Sequence, residues 1–382
     1  MSQPLFEVTN LRVAVFDPDR AIAGLPGPVL DSGEELAPGW VEVIPSLSYS
    51  VDEGESLAMV GESASGKSLT LMGAFGLLSP GAKVIGGTTR YGELTNQPAG
   101  DVRDPAEKLT RKERKEQKRK VRVAGTVMDE HGDEEWAEMM GTDVGFLFQN
   151  PIGAWMPVEV IGSQSGEALG YHSDLTAEEI EERVYDALGE VKLPKSSRMF
   201  NAFSVELSRG MAQRAMLAAA LTKSPSLMIA DEPLNGLDAP VAAAIMDLVL
   251  DMRDKRRMAM VLVTHDLAAV ARVADRIAVV YSGLIIEEAS ADAIFHRPKH
   301  PYTSGLIGSI PGISSDRLRH IPGEAPRLVD TDRTACVFVD RCDFAVDACR
   351  ASQPPLIEYD GGRVACHRWT ELDLPGVGRR EK

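Results

Sequence analysis

Residues 56–78 read SLAMVGESASGKSLTLMGAFGLL. The apolar run Ser56–Val60 is strand-sized and stops at a glycine-rich turn, and a helical pattern follows from Lys67 to Leu78. The turn itself, Gly61–Ser68 (GESASGKS), fits the spacing G-x-x-x-x-G-K-S/T, which between a strand and a helix forms a phosphate loop. Its glycines let the backbone curl so that successive N–H groups face phosphate oxygens. The helix start adds a favourable dipole. Lys67 brings a point charge to the β and γ phosphates, and the Ser68 hydroxyl can ligate Mg²⁺. Gly61, Glu62, Ser63, Ala64, Ser65, Gly66, Lys67, Ser68 and Leu69 are therefore candidate contacts for a nucleotide's phosphates.

Working outward, LMIADEP ends an apolar run with Asp231 and Glu232. The first can hold Mg²⁺ through water, and the second can orient or deprotonate an attacking water. VLVTHDL places His265 just past another such run, where it could sense a γ-phosphate. Apolar runs at Leu227–Ala230, Met258–Thr264 and Ile277–Val280 alternate with helical patterns at Gly210–Leu221, Val241–Arg253 and Leu267–Val273. That alternation predicts an α/β fold with a mostly parallel sheet covered on both faces. Earlier strands are expected at Leu5–Val15 and Val41–Val51, with a loop over Asp17–Gly39.

The 382 residues carry 41 Lys and Arg against 57 Asp and Glu, a formal net charge of −16. This balance argues against a general nucleic-acid binder. The basic run RKERKEQKRK (Arg111–Lys120), interspersed with Glu and followed by DEHGDEE (Asp129–Glu135), reads as a solvated helix and loop in a charged insertion over 91–140. No signal peptide is expected, and no apolar run reaches the ~18 residues of a membrane helix. A soluble, cytosolic chain is the expectation from the residues alone.

Together the motifs resemble those of the ATP-binding-cassette (ABC) ATPases. FLFQNP supplies a Q-loop glutamine, Gln149; LSRGM, Leu207–Met211, matches the family signature; GLD resembles the D-loop; and His265 the switch histidine. The resemblance implies an α/β P-loop NTPase cassette with a mixed sheet core and an N-terminal antiparallel β subdomain. It also implies a helical signature subdomain over about 150–222. It gives Glu232, His265 and Gln149 catalytic roles, and assigns Mg²⁺ to Ser68, Gln149 and Asp231. ATP would lie between this chain's phosphate loop and a second subunit's signature serine, with Ser208 and Gly210 serving the partner's nucleotide. Phe16 is the candidate adenine-stacking aromatic. Arg209 departs from the family pattern, standing where the first signature glycine is usual. The departure implies an asymmetric dimer with a non-identical ATPase partner.

HRPKHPYTSGL (His296–Leu306) and IPGEAP (Ile321–Pro326) resemble segments of oligopeptide and dipeptide import ATPases. The boundary is placed so that 1–294 is the ATP-binding domain and 295–382 a C-terminal extension. Cys336, Cys342, Cys349 and Cys366, spaced C-x5-C-x6-C-x16-C, leave open a tetrahedral metal site, iron–sulfur or zinc, and simple buried thiols. The resemblance implies a 4Fe-4S cluster, with structural Zn²⁺ as the alternative, acting as a folding staple. It further implies two transmembrane permease subunits, an extracytoplasmic solute-binding protein, and a place on the cytoplasmic face of the membrane. The transported solute would be a peptide, with nickel, opines or sugars as alternatives. A soluble ABC ATPase of translation or DNA repair would need two cassettes or a long coiled-coil insertion, and neither is visible. A mainly regulatory half of a heterodimer is kept open by Arg209 and opposed by Glu232.

Overall fold

A computed structural model describes residues 3–92, 94–96, 133–310 and 320–377. The basic run Arg111–Lys120 and most of the 91–140 insertion lie outside them. The described chain divides into two compact units, residues 1–50, 58–131 and 265–382 in one and residues 51–57 and 132–264 in the other.

The first unit holds a four-stranded sheet in the order β2-β1-β4-β5. Its strands are β1 (Phe6–Phe16), β2 (Trp40–Val51), β4 (Ala82–Tyr91) and β5 (Leu94–Asn96). β1 and β4 pair antiparallel, from Phe6 opposite Tyr91 to Val15 opposite Ala82. The loop expected over Asp17–Gly39 contains a short helix, Pro18–Ile22, whose first turn is capped by Asp17.

A second run of strands in this unit is ordered β11-β12-β10-β9-β3. It comprises the Ala58–Val60 end of β3 (Ser56–Val60), β9 (Arg276–Tyr281), β10 (Leu284–Ser290), β11 (Ile357–Tyr359) and β12 (Gly362–Val364). β9, β10, β12 and β11 pair antiparallel in turn. The extension thus continues the same sheet as the strand that delivers the phosphate loop. Its Tyr302, Ile307, Cys336, Phe338 and Cys349 join Ala58, Val60, Val279 and Tyr281 in one buried cluster. Burial of that apolar surface, at roughly 25 cal/mol per Å², fastens the tail.

The second unit has parallel strands β6 (Val144–Leu147), β7 (Leu227–Asp231) and β8 (Ala259–Thr264), with Val144 opposite Leu227 and Leu227 opposite Ala259. β7 and β8 are buried throughout, as expected for apolar runs covered on both faces. Its helices include Ile161–His172, Ala177–Glu190, Arg209–Leu221 and Ala239–Arg256. Thr176 and Glu179 form a reciprocal capping box that starts the second of these, satisfying two N–H groups a helix leaves unpaired. Among the described residues no helix is long and apolar enough to cross a membrane.

Candidate functional site

The phosphate loop begins where β3 ends. A Cβ at Gly61 would lie 2.2 Å from the Val280 carbonyl oxygen, so only glycine fits there. Gly66, at φ 101°, caps the helix Lys67–Ala74. Ala64 sits at φ 61°, in the left-handed region that costs an L-residue about 1–2 kcal/mol. Lys67 is buried, and its Nζ donates to the carbonyls of Gly61 at 2.9 Å and Glu62 at 2.8 Å. Ser65 Oγ lies 3.4 Å from the same ammonium. Ser63, Ala64 and Ser68 are exposed, and Leu69 is half-buried. The first helical turn, Lys67–Leu69, directs backbone N–H groups along the axis toward the loop mouth.

Glu62 ties the loop to residues far along the chain. Its N–H donates to Tyr302 Oη at 2.9 Å, and its carboxylate accepts both terminal nitrogens of Arg341, at 2.6 and 2.9 Å. No sequence motif marks a role for Tyr302 or Arg341. The HPYT segment contains the first, and the second immediately precedes Cys342, but nothing local names their partner.

Phe16 closes β1 and packs edge-on against Trp40, centroids 5.7 Å apart at 64°. His265, also in the first unit, is exposed, and Asp266 after it caps the helix Leu267–Val273.

The second unit carries the other candidates. Gln149 is exposed just past β6. Asp231, the last residue of β7, is 7% exposed. Glu232 takes φ 44°, its N–H donates to the Val263 carbonyl at 2.8 Å, and its Oε2 accepts from Asn235 Nδ2 at 3.2 Å. Strained backbone of this kind, about 1–3 kcal/mol, persists where the surroundings over-determine it. Ser208 caps the helix Arg209–Leu221, its Oγ accepting the Met211 N–H at 3.3 Å. A Cβ at Gly210 would lie 2.9 Å from Val241 Cγ1. Arg209 folds its guanidinium against Gly236, where a Cβ would stand only 2.4 Å from Nη1. Asp238 caps the helix Ala239–Arg256 through the Val241 N–H at 2.9 Å.

The cysteine expectation is corrected. Among the described residues no group of three or more His, Cys, Asp or Glu side chains is placed to hold a metal ion. No 4Fe-4S or structural Zn²⁺ site is found at Cys336, Cys342, Cys349 and Cys366. All four are free cysteines that line one small pocket with His300 and Phe338. Metal binding needs thiolates. Here burial favours the protonated thiol, pushing Cys336 and Cys366 up to about 11 and raising Cys342. The tail is held by apolar packing, as Phe338 against Tyr281 and Tyr302 illustrates.

Two family models match this chain. "ABC transporter" covers residues 44–235, and "Oligopeptide/dipeptide transporter, C-terminal region" covers 286–349. The chain belongs to the ABC transporter ATPases of the oligopeptide/dipeptide import family. It is 34% identical over 338 residues to the dipeptide transport ATP-binding protein DppD of Escherichia coli K12, covering 88% of this chain and 93% of that one. It is 33% identical over 335 residues to the oligopeptide transport ATP-binding protein AppD of Bacillus subtilis, covering 87% and 92%. Among solved structures, the ATP-binding cassette MJ0796 bound to ADP and phosphate superposes with a TM-score of 0.53 at 20% identity, covering 75% of this chain and 98% of that one. That likeness bears on the fold alone. The ABC cassette fold here has a mixed sheet, an N-terminal β subdomain, a helical subdomain and a cysteine-bearing extension. The ABC ATPase is the ATP-hydrolysing subunit of a multi-subunit importer.

Proposed function

We propose that this subunit couples MgATP binding and hydrolysis to uptake of dipeptides or oligopeptides through a membrane permease. The observation that carries the reading is the phosphate loop, where a buried Lys67 and the opening turn of Lys67–Ala74 face a glycine-shaped cradle. Gly61–Leu69 bind the triphosphate, Glu232 orients or deprotonates the attacking water, and His265 and Gln149 respond to the γ-phosphate. The Ser68 hydroxyl, Gln149 amide oxygen and Asp231 carboxylate are hard oxygen donors of the kind Mg²⁺ takes. When bound, that ion offsets charge on the phosphate oxygens. Phe16 stacks the adenine, while Ser208 and Gly210 serve the nucleotide of a second ATPase subunit. Arg209 supports a related but non-identical partner.

The names of the relatives support a peptide solute, delivered by an extracytoplasmic binding protein to two permease subunits. The exposed Met156 and Val158, just past the Q-loop, are 56% and 75% accessible and suit a permease contact. The subunit would then sit peripherally on the cytoplasmic face. The test is reconstitution with the permease in proteoliposomes, measuring ATP hydrolysis stimulated by binding protein loaded with di-, tri- or pentapeptide, nickel, an opine or a sugar. Stimulation by peptide alone is expected. Stimulation by another solute and not by peptide overturns the solute assignment.

A further inference from the structure

One buried polar contact of the extension reaches the phosphate loop. Arg341 Nη1 and Nη2 hold the Glu62 carboxylate in a two-pronged pair, at 2.6 and 2.9 Å. Its remaining donors are also engaged: Nε to the Pro322 carbonyl at 2.8 Å, Nη2 to the Gly323 carbonyl at 3.3 Å, and Nη1 to Tyr281 Oη at 3.3 Å. The guanidinium is 7% exposed and packs over the rings of Tyr281 and Phe338. Such a saturated, buried fork has one geometry, because any rotation leaves donors unpaired. Its pairing with Glu62 holds it firmly protonated, above the ordinary arginine range.

Glu62 passes this constraint on. Its carbonyl accepts from Lys67 Nζ at 2.8 Å and from the Ser65 N–H at 3.3 Å. Its own N–H is tied to Tyr302 Oη. A carboxylate beside a loop built for a triphosphate would repel that ligand; Arg341 supplies the cancelling charge and draws the carboxylate aside. We infer that Arg341 is a positioning residue for nucleotide binding, through which the C-terminal extension sets the shape and charge of the phosphate loop. The inference rests on the reading of Gly61–Ser68 as the ATP site.

The experiment measures MgATP and MgADP affinity of the full-length chain by calorimetry, alongside its melting temperature. Arg341→Met should weaken MgATP binding roughly tenfold or more, the loss expected for a charged hydrogen-bonded pair. Arg341→Lys should recover only part of that loss, since an ammonium keeps the charge without the fork. Glu62→Gln, with Arg341 in place, gives the second arm, and the double variant closes a cycle. Coupling is expected: the double variant should lose less than the sum of the two single losses. Strictly additive losses, or an Arg341→Met chain that melts earlier yet binds MgATP within about twofold of the parent, would overturn the inference and leave Arg341 a structural tie. Should Arg341→Met not fold, the Arg341→Lys and Glu62→Gln comparison decides on the same terms. Lys67→Ala is the control for the underlying reading. If it leaves MgATP affinity unchanged, the site assignment falls and this inference with it; if it abolishes binding while the Arg341 variants bind normally, only the inference falls.

Discussion

Glu232 and Ala64 are the two site residues whose backbones lie in the left-handed region without being glycine. For Glu232 the strain is accompanied by a carboxylate held by Asn235, and its proposed task is on the attacking water. Glu232→Gln in the assembled importer should lower the hydrolysis rate by about 10²–10⁴ while MgATP still binds. Steady-state turnover measured with nucleotide affinity checks this, and near-normal turnover would remove Glu232 from the chemistry. Ala64 has no such compensation in the described contacts, and Ala64→Gly should stabilise the chain by up to about 1 kcal/mol. A urea midpoint that falls instead would show that entropy lost by the extra glycine outweighs the relieved strain. Lys67, Glu232 and Ser208 could be picked out from sequence because each belongs to a short contiguous motif. Arg341 could not: its partner lies 279 positions away, and an arginine before a cysteine has no local signature. The cysteines misled for the opposite reason, since their spacing allows a metal site but carries no information on thiol burial.

Among the elements, the join between β10 and the helix Pro301–Gly308 holds two buried groups of opposite behaviour. Glu287 accepts the N–H groups of Lys299 and His300, and burial nevertheless pushes it up to about 7. His300, also buried, is pushed down to about 3. A raised carboxyl favours folding at low pH and loses that contribution as pH rises from about 4.5 through 7. A depressed histidine does the reverse, losing its contribution as pH falls from about 6.5 toward 3. Between about 4.5 and 6.5 the two slopes oppose each other. Glu287→Gln should therefore steepen the loss of stability on acidification across that window, by roughly 1 kcal/mol per pH unit relative to the parent. Urea midpoints at half-unit pH steps read it, and parallel curves would refute the pairing. Phe338→Ala should cost about 3–5 kcal/mol and loosen the tail, read as lost hydrogen-exchange protection around 336–366. The helical patterns at Gly210–Leu221, Val241–Arg253 and Leu267–Val273 lie within a few residues of the helices Arg209–Leu221, Ala239–Arg256 and Leu267–Val273, whereas the helix Ile161–His172 is not among the expected ones. β4 did not announce itself, because AKVIGGTTRY has little alternation, and β11 and β12 span three residues each.

For the whole molecule, the division into compact units does not follow chain order, which no local pattern can convey because it depends on which distant strands pair. The proposed assembly makes its own prediction. If Arg209 burdens the site that this chain lends to its partner, the two nucleotide sites differ. Glu232→Gln should then reduce importer turnover far more than the partner's equivalent change, measured in separate preparations. Equal losses, with Arg209→Gly leaving the rate unchanged, would show that the arginine is tolerated. The long reach from Glu62 to Arg341 also has a consequence in time. A ribosome adding about 5–20 residues per second finishes Gly61–Ser68 roughly 15–55 s before it reaches the arginine that completes the loop's surroundings. Once β9 is made, and until Arg341 follows, the nascent cassette carries a Glu62 carboxylate without its arginine beside the triphosphate cradle. If Arg341 sets the loop as inferred, nucleotide capture is deferred until the last stretch of chain is made, and a prematurely terminated product would be a poor competitor for cellular ATP. Stalled chains ending near residue 330 should label weakly with a photoreactive ATP analogue, and released full-length chains strongly.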